Sequence, residues 1–78
     1  NPAVTVSTVR YELNKAAAVA YEVRDIQGKL VSYSNLGVQP IGFNTIELAV
    51  ADWQVGQYEI SLVVEGKRMF TRSLQVVK

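Results

Sequence analysis

An alternation of apolar and polar residues recurs in four segments of this chain and constrains its fold more than any other feature. Residues 19–24 show it, and it returns in residues 45–50, 58–64 and 70–76. A period of two places alternate side chains on one face of a pleated strand, and Val, Ile, Tyr and Thr favour such strands. The predicted strands run near residues 4–11, 18–24, 30–34, 44–50, 57–64 and 67–77.

The strand spacing predicts how these segments pack. No helical pattern separates them, so parallel strands joined by helices are not expected. Two antiparallel sheets packed face to face bury six amphipathic strands. The sequence therefore predicts an all-β, Ig-like antiparallel β-sandwich of about six to seven short strands. Residues 1–78 are expected to form one domain, since a chain this short holds a single thin core.

Turn residues predict the connections between strands. Glu65-Gly66 indicates a tight hairpin between the last two strands, and residues 37–42, with Pro40 inside, are expected to form a loop. Residues 14–18 are expected to connect the first two strands. Because the apolar residues change parity within the first strand, a β-bulge near Ser7-Thr8, or two short strands meeting at a bend, is expected.

Composition excludes several functions. The chain has no His and no Cys, which removes the usual general base near neutral pH and thiolate metal ligands. Its net charge of +1 gives no basic excess for nucleic-acid binding. No apolar run could span a membrane, and no export signal opens the chain. We expect no enzymatic activity, no cofactor and no nucleic-acid partner. The start at Asn1-Pro2, without Met, indicates a domain from the end of a larger protein.

Three side chains allow both a structural and a functional interpretation. Asp25 is more consistent with a turn cap than with a calcium ligand, because a calcium loop needs several neighbouring carboxylates. Trp53 fits a plug at the end of the sandwich better than an exposed platform for a sugar or peptide. Tyr58, at the start of a strand, fits a tyrosine corner, whose hydroxyl bonds to upstream backbone.

The last predicted strand is basic. Its cations are Lys67, Arg68, Arg72 and Lys78. They fit a charged edge strand that resists unwanted pairing, or a recognition tail. Composition favours the edge strand.

Taken in order, four segments resemble the C-terminal sorting domain of the type IX (Por) secretion system of Bacteroidetes. Asn1-Pro2-Ala3 is similar to the opening of that family, and residues 23–31 to its strand and Asp-x-x-Gly-Lys turn, through Asp25, Gly28 and Lys29. Gly56-Gln57-Tyr58 is similar to its Gly-x-Tyr, and residues 66–78 to its closing hairpin. One departure is residues 53–56, Trp-Gln-Val-Gly, where the family usually has Leu-Pro-x-Gly.

The resemblance implies a secretion signal that directs a cargo protein across the outer membrane. The implied partners are the type IX translocon, outer-membrane shuttle components, a sortase-like peptidase that removes the domain, and a cargo domain N-terminal to Asn1. The implied locations are the periplasm in transit, then the cell surface or the medium. The expected recognition residues are Gly66, Lys67, Arg68, Arg72, Val76, Val77 and Lys78.

Two further expectations rest on physics rather than on resemblance. An exposed edge can pair with a receptor strand, and paired edges can also produce a weak homodimer. The alternative function is a passive Ig-like spacer, or an adhesion or carbohydrate-binding module, at the end of a surface enzyme.

Overall fold

A computed structural model of the protein describes residues 6–77. Six strands occupy most of this range. They are β1 (Val6–Leu13), β2 (Ala17–Asp25), β3 (Leu30–Gln39), β4 (Gly42–Ala49), β5 (Gly56–Val64) and β6 (Lys67–Val76). Among these residues there is no helix long and apolar enough to cross a membrane.

The strands form two antiparallel sheets. The smaller sheet has the order β1-β4, and the larger has the order β3-β2-β5-β6. Both contribute to one core, in which Tyr11 and Leu48 of the smaller sheet join Val23 and Leu62 of the larger. The predicted all-β Ig-like sandwich is thereby confirmed.

The core follows the alternation in the sequence. Along β4, Ile46 and Leu48 are buried while their neighbours are exposed, and β5 repeats this pattern with Tyr58, Ile60 and Leu62. Burying alternate apolar side chains removes their surface from water while the polar residues between them stay hydrated. This separation is the main source of stability in the fold.

Two local predictions are wrong. The β1–β4 register runs without a shift from Val6 to Leu13, so the expected bulge near Ser7-Thr8 is absent. Ser7 pairs with Leu48 and occupies a core-facing position. The strand therefore alternates regularly, with a serine where an apolar residue was expected. The alternative, a bend between two short strands, involves Val4, which lies outside the described residues.

The predicted loop at residues 37–42 is shorter than expected. β3 continues to Gln39, so Pro40-Ile41 alone connects it to β4 in the other sheet. Gly37, with φ of 73°, sits beside an unpaired Leu36 and forms a bulge rather than a loop. Glycine adopts this positive φ without steric cost, and β3 therefore keeps its pairing with β2 beyond the bulge.

The register fixes which segments share an end of the sandwich. Val6 pairs with Ala49, and Gly56 pairs with Val76, while residues 50–55 join these two pairs. The start of β1 and the end of β6 therefore lie at the same end, together with the turn at residues 26–29. The tip of the β5–β6 hairpin lies at the opposite end.

Candidate functional site

The β5–β6 hairpin closes with a two-residue turn. Glu65 and Gly66 have φ of 51° and 80°, and positive φ at both positions defines the type I′ turn. This turn matches the right-handed twist of the flanking strands, and Gly66 occupies its second position without strain. The local sequence therefore sets the register in which β6 returns along β5.

The hairpin tip is attached to β2. The backbone N–H of Glu65 donates to the Ala18 carbonyl at 2.9 Å, and the Ala18 N–H donates to Glu65 Oε2 at 2.6 Å. The carboxylate accepts the bond that the Glu65 carbonyl would accept in a regular ladder. A hydrogen bond to a charged acceptor is stronger than a neutral one, so this pair holds the tip in place.

β6 is the outer strand of the larger sheet, and among residues 6–77 it pairs only with β5. Phe70 and Leu74 face the core and are half-buried, and Val76 is only 1% exposed. Met69 is skipped in the pairing between Leu62–Phe70 and Val63–Arg68, which makes a bulge. The bulge increases the local twist of this edge strand.

The basic side chains of β6 have different surroundings. Lys67 is exposed. Arg68 lies 3.4 Å from Glu22, which also lies 3.8 Å from Arg24. These ion pairs are at the surface, where water and salt weaken them. They orient Arg68 across the outer face of the sheet without fixing it.

Arg72 connects the two sheets. It lies opposite Ile60 on the core-facing side of β6, and its Nη1 donates to the Arg10 carbonyl of β1 at 2.7 Å. Its guanidinium also stacks over the Phe70 ring at 4.3 Å. Both contacts use the positive charge of the guanidinium, so Arg72 has a defined intramolecular role.

The C-terminal residues differ sharply in their exposure to solvent. Val76 is buried in the core, whereas Val77 is 48% exposed. Lys78 lies outside the described residues. A receptor at the folded domain can therefore contact Val77 directly but reaches Val76 only through the backbone.

The Asp25 turn is satisfied by local hydrogen bonds. Asp25 Oδ1 accepts from the N–H groups of Gln27 and Lys29, both at 2.9 Å, and Gly28 N–H donates to the Asp25 carbonyl. Gly28 has φ of 84°, and Arg24 Nη1 donates to its carbonyl. Within residues 6–77 no three acidic side chains cluster as a metal site. These bonds favour the turn-cap interpretation of Asp25.

Trp53 and Tyr58 stabilise the link that precedes β5. The Tyr58 hydroxyl donates to the Gln54 carbonyl at 2.6 Å, which is the geometry of a tyrosine corner. Trp53 is half-buried against the core, with its ring 5.1 Å from that of Tyr58. Gly56 begins β5 between them. This packing favours the core interpretation of Trp53 over an exposed platform.

A groove lies at the end of the sandwich where the described chain begins and ends. Its volume is about 580 Å³, and it runs between the 26–29 turn and the 52–57 link. Four exposed apolar residues line it: Ile26, Leu30, Val31 and Val55. The alternation did not reveal this groove. The sequence has no charged residue between Lys29 and Glu47, and this uncharged stretch could have indicated the part of the groove that β3 forms.

The fold and the hairpin define a class of protein: a small β-sandwich with a terminal edge strand. A family model described as the secretion system C-terminal sorting domain matches residues 1–77. The chain belongs to this family, as the resemblance in its motifs predicted. No curated protein and no solved structure matches it significantly.

Membership of the family establishes the broad function. The domain is a C-terminal sorting signal for type IX secretion, and the family is a signal family rather than a catalytic one. Its partners belong to the type IX translocation machinery, and its destination is the cell surface or the extracellular space.

Proposed function

We propose that the type IX machinery reads this domain through the β5–β6 hairpin and the C-terminal end of β6. One observation carries the proposal: among the described residues, β6 is paired on one side only. Its other side offers backbone N–H and C=O groups to an incoming strand. Backbone bonds then supply affinity, and alternate side chains supply specificity. The proposed recognition residues are Gly66, Lys67, Arg68, Arg72, Val76, Val77 and Lys78.

The members of this set have different roles in the proposal. Lys67 and Val77 are exposed and contact the receptor directly. Gly66 sets the turn that positions β6. Arg72 and Val76 act by holding β6 against β1 and the core, through the contacts described above. The motif residues Asp25, Gly28, Lys29, Gly56 and Tyr58 maintain the end of the fold opposite the hairpin tip, where β6 ends.

Membership of the sorting-domain family supports the secretion steps of the proposal. Residues 1–78 act as one domain, attached to a cargo domain N-terminal to Asn1. The domain crosses the periplasm with its cargo and is bound by the translocon and by outer-membrane shuttle components. A sortase-like peptidase then removes it. The domain has no catalytic role of its own, and it self-associates weakly through a free strand edge.

A secretion assay tests the recognition element. Residues 1–78 are fused behind a fluorescent reporter with an inner-membrane export signal, in a bacterium with a working type IX system. We expect the reporter outside the cell only when the translocon is intact. Deleting Val77-Lys78 is expected to stop export, because it removes the end of the proposed recognition element. The deletion should preserve the fold, because the buried Val76 stays in place.

Charge reversal provides a matched pair of variants. Lys67→Glu changes the exposed start of β6, and Lys15→Glu makes the same change in the exposed link between β1 and β2. We expect Lys67→Glu to retain the reporter in the periplasm and Lys15→Glu to export it. Equal export of both variants, together with normal export of the deletion, would rule out the hairpin as the recognition element.

The same assay addresses the alternative function. A folded wild-type fusion that stays in the periplasm would favour a passive spacer or a carbohydrate-binding module. The half-buried Trp53 ring packs against Tyr58, and this packing argues against a sugar-stacking platform.

A further inference from the structure

β3 is an edge strand without charge. It terminates the larger sheet, and among residues 6–77 it pairs only with β2. Its ten residues include no Asp, Glu, Lys or Arg, whereas each of the other five strands carries at least one. Proteins commonly protect edge strands with charged side chains, and the opposite edge, β6, carries Lys67, Arg68 and Arg72. β3 lacks this protection.

Two bulges bring three large apolar residues of β3 onto one face. Val31 and Leu36 are skipped in the pairing with β2, so Leu30, Tyr33 and Val38 face Arg24, Glu22 and Ala18. These three β2 residues alternate with the buried Val19 and Val23, and so lie on the outer face of the sheet. Leu30, Tyr33 and Val38 are 47%, 56% and 72% exposed there.

The outward-facing residues of β3 are arranged symmetrically. Asn35 faces Ala20 and is the fourth member of the outer set. Leu30 and Val38 are equidistant in sequence from Ser34, and so are Tyr33 and Asn35. A second copy that runs antiparallel and is centred on Ser34 would therefore place Leu30 opposite Val38 and Tyr33 opposite Asn35. Each outer residue would meet another outer residue, as antiparallel pairing requires.

We propose that β3 is a self-association edge, at which two copies of this domain pair antiparallel about Ser34 and join their four-stranded sheets. The pairing is isologous, so one strand supplies both halves of the contact. Leu30 of each copy is covered by Val38 of the other. This deepens the weak self-association proposed above by assigning it a surface.

Charge selects β3 over β6 for this contact. Two β6 strands would bring together three cations from each copy, and like charges across a strand pair are destabilising. Two β3 strands bring together none. Because β3 and β6 lie at opposite edges of the same sheet, a β3 pair leaves β6 available for recognition.

Sedimentation equilibrium of the 78-residue chain tests the proposal. We expect a monomer of 8.6 kDa at low concentration and a dimer of twice that mass as the concentration rises to about 1 mM. Leu30→Glu places a carboxylate opposite Arg24 within the chain and should preserve folding, but it should raise the dimer dissociation constant about tenfold or more. Gln75→Glu, the matched control on exposed β6, should leave the constant unchanged.

A charge pair tests the register. Val38→Lys alone should also weaken the dimer, whereas Leu30→Glu combined with Val38→Lys should restore it, because each new carboxylate then faces a new ammonium group. Circular dichroism of each variant verifies folding. A chain that stays monomeric at every concentration would overturn the proposal, as would a dimer that both β3 substitutions leave intact. A double variant as weak as the singles would overturn the Ser34-centred register. The measurement involves no translocon, so it is independent of the secretion assay.

Discussion

The two buried tyrosines allow one substitution to be tested in opposite environments. The Tyr58 hydroxyl donates to the Gln54 carbonyl at 2.6 Å. Tyr11 is only 2% exposed, and within residues 6–77 its hydroxyl has no hydrogen-bond partner. Replacing either residue with Phe removes one oxygen and leaves the ring, so the hydroxyl environment is the main difference between the two variants.

The expected effects differ in sign. Tyr58→Phe loses one partly buried hydrogen bond, which contributes about 1 kcal/mol to the free energy of unfolding. Tyr11→Phe removes a hydroxyl that is buried without compensation, a penalty of about 1–3 kcal/mol, so this variant should be more stable than wild type. For a domain of this size, 1 kcal/mol corresponds to a change in Tm of about 4–8 °C.

Urea unfolding followed by Trp53 fluorescence, with thermal unfolding by circular dichroism, measures both variants. We expect Tyr58→Phe to melt below wild type and Tyr11→Phe to melt above it. If Tyr11→Phe lost as much stability as Tyr58→Phe, the Tyr11 hydroxyl would be hydrogen-bonded in solution. The reasoning from its environment would then fail.

Three further predictions concern pH, the hairpin turn and the Asp25 turn. Burial raises the pKa of Tyr11 above the ordinary 10.0, so folding favours the protonated hydroxyl. The ionisation of Tyr11 therefore leaves the free energy of unfolding unchanged below pH 10 and lowers it as pH rises further. Wild type should therefore lose stability more steeply above pH 10 than Tyr11→Phe, and parallel pH profiles would contradict this. Gly66→Ala, at φ of 80°, should cost about 1–2 kcal/mol in urea unfolding, and a neutral result would exclude the type I′ turn. Asp25→Ala should cost about 1–2 kcal/mol of unfolding free energy, because two backbone N–H groups lose their acceptor. Calcium should leave the wild-type Tm unchanged, and a calcium-dependent rise in Tm would instead favour a metal site.

Much of the fold could be predicted because it depends on local patterns. Each predicted strand has a counterpart, and the Glu65-Gly66 turn closes the hairpin that its residues indicate. Errors occurred where the period of two is interrupted. Val31 and Leu36 are unpaired residues that shift the parity of β3, and the strand was predicted to stop at residue 34 whereas it continues to Gln39.

The candidate site was predictable only in part. Basic residues near the terminus were visible in the sequence, but their surroundings were not. Arg72 bonds to the carbonyl of Arg10, 62 positions away in the chain, and Arg68 approaches Glu22 on another strand. Such contacts depend on which strands become neighbours, and no local pattern specifies them.

The sequence by itself determined the strands, the main turns and the motifs that place this chain among the type IX sorting domains, because these features involve residues close together along the chain. Only the tertiary structure decided the order β3-β2-β5-β6, the unpaired sides of β3 and β6, and the common face of Leu30, Tyr33 and Val38. Strand order depends on how two sheets together bury their apolar faces. That is a property of the whole packed chain and not of any one segment.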